Sequence, residues 1–230
     1  MSMGDIIRFV EDIHVLTSNN GMLFRGLSDS LPLNGLYMFF EAGQKIIINS
    51  KDYNRIVRIG INERPDNFRN RIRGHYQGNI EGSVFRENVG WALLDLMGKN
   101  PISLYRTKRE YKKRNSGGPL EEEISDYFSK YLTFKAFRIP YSKLEDYEAT
   151  LIGAFSIYYQ YRILRGDLDL KGWLGLRTYS RQDKIKKSGL WNSENVILLE
   201  NNFLGNLVEK FDFSKEKLNA ILLDLERSLV

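Results

Sequence analysis

Gly35-Leu36-Tyr37-Met38-Phe39-Phe40, Arg55-Ile56-Val57-Arg58-Ile59-Gly60 and Asn67-Phe68-Arg69-Asn70-Arg71-Ile72-Arg73-Gly74-His75-Tyr76 are the segments whose reading decides the fold. The first is aromatic and apolar, with Asn34-Gly35 before it and Glu41-Ala42-Gly43 after it, which suits a short strand ending in a turn. In the second, Ile56 and Arg58 fall on one face of a strand and Val57 and Ile59 on the other. Asn49-Ser50-Lys51-Asp52 reads as a polar turn. The two strands are expected to pair as a hairpin, with Gly43 to Asn54 as an elaborated connection in which Ile46-Ile47-Ile48 adds an extra strand. Asp66 or Asn67 then caps a helix that places Phe68, Ile72 and Tyr76 on one face.

On that helix Arg71 and His75 are neighbours at i and i+4, so a guanidinium and an imidazole stand side by side. A guanidinium grips two phosphate oxygens as a fork and offsets charge in a phosphoryl transition state. Imidazole moves a proton near neutral pH. The chain has only two histidines, His14 and His75, which narrows the choice. Each feature also has a plainer reading. Tyr37 is one of 13 tyrosines and suits a packing role, and the run Arg71, Arg73, His75 suits a solvated or phosphate-touching helix face.

The joint pattern resembles the core of GIY-YIG nucleases. That resemblance implies an α/β fold, a small antiparallel sheet flanked by helices, here with a large insertion. It implies that Tyr37 is the tyrosine of the first motif and that Arg71 and His75 are the arginine and histidine of the first helix. It further implies that Glu148, in Asp146-Tyr147-Glu148-Ala149-Thr150, is the metal-binding glutamate, and that Asn192, in Gly189-Leu190-Trp191-Asn192, is the supporting asparagine. The second motif departs from the pattern, because Arg58 stands where a tyrosine is usual. Arg58 is then expected to contact phosphate or the Tyr37 oxygen, with His75 or Tyr76 supplying what the missing hydroxyl does elsewhere. The activity implied is hydrolysis of phosphodiester bonds in double-stranded DNA with Mg²⁺, for which Mn²⁺ substitutes. Read by itself, Glu148 borders the apolar stripe Leu144, Tyr147, Leu151, Phe155 of a helix, and is either a hard oxygen ligand or an ordinary surface glutamate.

Whole-chain properties are compatible with this. The chain has 230 residues, enough for one elaborated domain, and a formal charge of +5. Its pI of about 9.2 suits a polyanionic partner. Without cysteine there are no disulfides and no thiolate metal sites, and a reducing cytoplasm is expected. No long apolar run or signal-like N-terminus points to a membrane.

The expected organisation is a catalytic core at 30–76 and 141–204, an inserted lobe at 77–140, a C-terminal helical segment at 205–230, and an N-terminal covering helix or DNA-contacting arm at 1–29. Within the lobe, Phe85 to Met97 reads as an amphipathic helix with Phe85, Val89, Leu93 and Leu96 on one face, and Phe134 to Pro140 as a strand returning to the core. Two basic stretches are candidate DNA contacts beside Arg73: Arg106, Lys108, Arg109, Lys112 and Lys113 in the lobe, and Arg177, Arg181, Lys184, Lys186 and Lys187 further on. Leu218, Ile221, Leu222 and Leu225 form a terminal helix that packs on the core or on a second copy, the latter giving a homodimer. The biological role expected is a restriction or host-defence endonuclease. The alternatives are a repair or mobile-element nuclease, or a nucleic-acid-binding protein with little or no catalysis.

Overall fold

The computed structural model describes residues 2–104, 107–178, 183–199 and 213–230. In chain order the elements are α1 (Met3–Asn19), β1 (Leu36–Ile48), β2 (Lys51–Ile61), α2 (Phe68–Gln77), α3 (Val84–Leu96), α4 (Pro101–Leu104), α5 (Lys108–Asn115), α6 (Pro119–Tyr131), β3 (Leu132–Phe137), α7 (Tyr141–Leu164), a 3₁₀ turn (Leu174–Arg177), α8 (Asp183–Ser188) and α9 (Lys215–Ser228). The strands form an antiparallel sheet in the order β2-β1-β3, flanked by the helices.

The hairpin is longer and its turn tighter than the sequence suggests. Asn49 and Ser50 both adopt positive φ, 48° and 63°, the conformation that a two-residue turn needs to match strand twist. Ile46-Ile47-Ile48 is therefore the end of β1 and not an additional strand. Ile46 and Ile48 are buried and Ile47 is exposed, the alternation of a continuing strand. Gly43, which reads as a break, lies at φ 82° in the irregularity between the pairs Phe40↔Ile56 and Lys45↔Asn54.

β1 is the central strand and is buried throughout Leu36 to Glu41. The Phe39 ring packs against His75 and Tyr76 of α2, Phe85 of α3, Phe128 of α6 and Phe134 of β3. The residues expected as an inserted lobe thus supply the third strand of the sheet and much of its cover. Both sheet edges are occupied. Phe24 and Leu229 bridge to β3, while the Trp191 amide donates to the Val57 carbonyl of β2 at 2.7 Å.

α3 differs from the expected amphipathic helix, since Phe85 to Leu94 are all buried. It tolerates this because its charges have partners. Arg86 donates to Glu121 at 2.7 Å and to the His75 carbonyl at 2.9 Å, which ties α3 and α6 to the C-terminal end of α2. A second buried carboxylate, Glu41, accepts from Tyr127 (2.6 Å), Trp173 (3.1 Å) and Trp191 (2.9 Å). Beside it the buried Arg55 guanidinium lies 4.7 Å from the Trp173 ring centroid and donates to the Gly189 carbonyl. These groups anchor the segment leading to Asn192 against the hairpin.

α1 covers β2, α7 and α9. On α9, Leu218, Ile221 and Leu225 are buried within the chain, so the apolar face that suggested a homodimer is already used. No described helix is long and apolar enough to cross a membrane.

His14 of α1 is wholly buried against Tyr159, whose hydroxyl donates to the Ile56 carbonyl at 2.9 Å. His14 Nε2 lies 3.1 Å from the same hydroxyl oxygen. Burial pushes the imidazole down from 6.5 to about 3. The unfolded chain therefore takes the proton first, so this contribution is complete above the unfolded value and is lost as pH falls from there towards the folded one. Urea unfolding at pH 7 and pH 5 is expected to show His14→Phe losing about 2 kcal/mol less stability between the two conditions than the wild type. Equal losses would exclude His14 as a source of acid sensitivity.

Candidate active site

The register of the hairpin sets Tyr37 opposite Gly60. A Cβ on Gly60 would overlap the Tyr37 hydroxyl and ring, so the missing side chain is the space that the tyrosine occupies. Gly35 has the corresponding function one strand over, since a Cβ there would strike the Phe137 carbonyl of β3. From this position the Tyr37 oxygen lies 2.8 Å from His75 Nε2, and His75 Nδ1 lies 2.9 Å from Ser83 Oγ. Ser83 is the N-cap of α3, accepting from the Arg86 amide at 3.2 Å. Burial first, then the charges of Arg71, Arg58 and Arg86, hold His75 well below the ordinary histidine range, so the ring is neutral.

Arg71 sits one turn before His75. The neighbouring Tyr37 oxygen is the largest influence favouring its charge, with Glu63 and Glu148 adding to the effect. Its Nη2 pairs with Glu63 at 3.0 Å. The Arg71 Nε is buried without a partner. The guanidinium thus joins a buried relay, Ser83-His75-Tyr37, to an open cleft of about 510 Å³. Arg58, Arg71, Glu63, Glu148, Asn192 and Glu194 line that cleft. Tyr37 and His75 are completely buried beneath it.

Glu148 projects from α7 between Leu144 and Ile152, one helical turn to either side, and all three reach the cleft. Burial raises its carboxyl to about 7, with Glu194 and Glu63 pushing the same way and Arg58 and Arg71 opposing. Among the described residues no hydrogen bond or ion pair engages this carboxylate. Nor do the described residues contain a group of three or more His, Cys, Asp or Glu side chains able to hold a metal ion. The Glu148 carboxylate, placed in an open cleft, fits a hydrated Mg²⁺, which commonly keeps several waters beside one or two protein carboxylates. A cation there would also favour the ionised form that burial opposes.

Arg58, Arg71 and Glu148 therefore share one cleft, and Tyr37 and His75 reach it through Arg71. Arg58 donates to the Trp191 carbonyl at 3.1 Å and lies 5.4 Å from the Phe85 ring centroid. Asn192 clamps β2 by accepting from the Ile59 amide (3.1 Å) and donating to the Ile59 carbonyl (2.9 Å), so its amide fixes the wall. Tyr76 turns elsewhere, because its hydroxyl donates to the Leu132 carbonyl at 3.0 Å among Phe128 and Phe134. That geometry gives it no access to the place of the missing second tyrosine.

The proposed DNA contacts are distributed outside the cleft lining. Arg73, Arg109, Lys113, Lys184 and Lys187 are exposed and Lys186 is half-buried. Lys112 pairs with Glu87 at 3.3 Å and Arg177 with Asp95 at 3.3 Å. Arg106, Arg181 and the Lys108 side chain lie outside the described residues. Sequence reading did not find Ser83 or Glu63 as members of the site. Ser83 carries a usable signal, an N-cap residue directly before an apolar run. Glu63 has none, because its partner is defined only once β2 and α2 are folded together.

A family model described as a GIY-YIG domain matches residues 3–215. The chain belongs to the GIY-YIG family. No curated protein and no solved structure matches it. In this GIY-YIG chain the second-motif glycine and the first-motif tyrosine are steric complements across one strand pair. Gly60→Ala is accordingly expected to lower stability by about 1–3 kcal/mol through overpacking. Gly74→Ala on α2, where a Cβ meets nothing within 4 Å, is expected to be neutral or stabilising. Chemical denaturation of the two variants checks the contrast, and equal effects would remove the steric account.

Proposed function

We propose that this chain is a divalent-metal-dependent endonuclease that hydrolyses phosphodiester bonds in double-stranded DNA. The observation that carries the proposal is the meeting of Arg71 and Glu148 in one cleft, with the family's tyrosine and histidine packed directly behind the arginine.

Arg71 binds the scissile phosphate. Its pairing with Glu63 is between a largely buried guanidinium and a carboxylate that is 69% exposed, so a phosphate can displace the carboxylate and keep the fork occupied. Movement of Arg71 onto the phosphate uncovers the Tyr37 oxygen, which then orients the attacking water at the inner end of the cleft. Arg58 adds a second positive charge where other members carry a tyrosine. Glu148 holds Mg²⁺ or Mn²⁺, which when bound offsets charge on the phosphate and leaving oxygen. The basic residues of α5 and of 177–187 select and position the duplex, since backbone contacts carry register but no base sequence.

A large helical elaboration around one catalytic constellation supports a restriction or host-defence role in the cytoplasm. One constellation per chain cuts both strands either by sequential nicking or through two copies. Single-turnover cleavage of labelled duplex DNA in Mg²⁺ and in Mn²⁺ tests the assignment. Arg71→Ala and Glu148→Gln are each expected to slow cleavage by about a hundredfold or more, with salt-sensitive DNA binding retained in Glu148→Gln. Unchanged rates in both variants would remove this site from the chemistry, and binding without metal-dependent cleavage in the wild type would make the chain a binding module.

A further inference from the structure

We infer that the depression on the far side of Tyr141 from the cleft is a nucleotide subsite. It takes the nucleotide next to the scissile phosphate with its base out of the duplex, stacked on the Tyr141 ring, and holds the adjoining phosphate on Arg138. The subsite rests on the nuclease reading given above and narrows the substrate to DNA whose cut strand is unpaired on one side of the cut.

The depression has a volume of about 600 Å³ and shares Tyr141 with the cleft. Its floor is apolar and open to solvent: Leu33 is 66% exposed, Tyr141 is 41% exposed, and Pro140 is exposed beside them. Arg138 is the only charged residue in the lining. Its side chain is exposed, and among the described residues it has no hydrogen-bond or ion-pair partner. One unpaired cation above an apolar floor, with no carboxylate beside it, complements the two halves of a nucleotide, an anionic phosphate and an aromatic base. The cleft itself differs, because Glu63, Glu145, Glu148 and Glu194 line it beside Arg58 and Arg71. A strand leaving the cleft past Tyr141 therefore passes from carboxylates onto a surface free of them.

Hydrogen bonds hold this surface in shape. The Leu33 carbonyl accepts from the Phe68 amide at 3.1 Å, and Asn34 accepts from Asn62 at 2.8 Å and donates to Asp66 at 2.6 Å. On the opposite wall the Arg138 amide donates to the Ser228 carbonyl at 2.8 Å. The Tyr141 hydroxyl donates to the Glu63 carbonyl at 2.9 Å, while the Glu63 carboxylate pairs with Arg71 at 3.0 Å. Glu63 thus joins the tyrosine ring, through its backbone, to the wall that carries Arg71. Tyr141 also precedes Glu148 by about two turns of α7, and both line the cleft. Within a duplex each base face is covered by the next base pair, so a tyrosine face at the surface has no base to stack on. An unpaired base supplies one, and stacking of this kind tolerates any base.

Anisotropy titrations of the full chain, in EDTA so that no strand is cut, compare a fully paired duplex with a forked duplex of equal phosphate number. The forked DNA is expected to bind about tenfold more tightly, with the advantage lost in Tyr141→Ala and kept in Tyr141→Phe, which retains the ring. Arg138→Ala is expected to reduce the slope of log affinity against log salt by about one, whereas Arg8→Ala, which removes a charge from α1, leaves it unchanged. Both Tyr141 and Arg138 are exposed, so these variants keep the fold. Irradiation of forks carrying iodouracil next to the junction is expected to crosslink one arm to Tyr141. Equal affinity for the two DNAs, or a fork preference that survives Tyr141→Ala with no crosslink at Tyr141, would overturn the inference, and metal-dependent cleavage of the paired duplex would then leave the nuclease reading standing. Self-association abolished by Leu33→Asp, with equal affinity for the two DNAs, would assign the face to a second copy instead. A fork preference that depends on Tyr141, in a chain that cuts neither DNA with Mg²⁺ or Mn²⁺, would support the subsite and count against the nuclease reading.

Discussion

The packing of the Tyr37 ring into the space left by Gly60 is the constraint on which the site depends. It requires β1 and β2 to pair in one register, since a slip of one residue would turn Tyr37 to the opposite face of the sheet. It also requires α2 to cross the sheet where His75 meets the tyrosine oxygen and Arg71 stands one turn away. The motif's two glycines are thus explained by close approach. One admits a ring and the other admits the carbonyl of the adjacent strand.

The site has two layers with different physics. The lower layer, Ser83, His75 and Tyr37, is buried and linked by hydrogen bonds of 2.9 Å and 2.8 Å, so its geometry is held by packing and by those two bonds together. The upper layer, Arg58, Arg71, Glu63 and Glu148, borders an open cleft and keeps charges available for exchange. Arg71 belongs to both. The buried ion pair of Arg86 with Glu121 supports this division, because it ties α6 to the end of α2 that carries His75. Arg58, standing where the family pattern has a tyrosine, adds a second guanidinium to the cleft lining, and Trp191 and Phe85 fix it in place.

Residues whose roles depend on local periodicity were legible in the sequence. The strands around Tyr37 and Val57, the helix bearing Arg71 and His75, and the helix bearing Glu148 all follow from short-range pattern, and the motif spacing singled out the residues that line or back the cleft. The length of the hairpin was not legible, because Gly43 reads as a break and only the cross-strand pairing shows it absorbed in an irregularity. The complete burial of α3 was hidden for a similar reason: Arg86 looks like a solvent-facing residue until Glu121, 35 positions away, is brought to it. Ser83 and Glu63 joined the site through neighbours supplied by other elements. Tyr76 was drawn towards the site by sequence proximity to His75, whereas the helix turns its hydroxyl to β3.

The account's central claim is that Glu148 offers a metal position in the cleft that Arg71 shares. Anomalous scattering from Mn²⁺ diffused into crystals of the full chain addresses it directly. The account predicts a peak at the Glu148 carboxylate on the side facing Arg71, lost in crystals of Glu148→Gln. A bound Mn²⁺ held elsewhere, with no peak at Glu148, would contradict it.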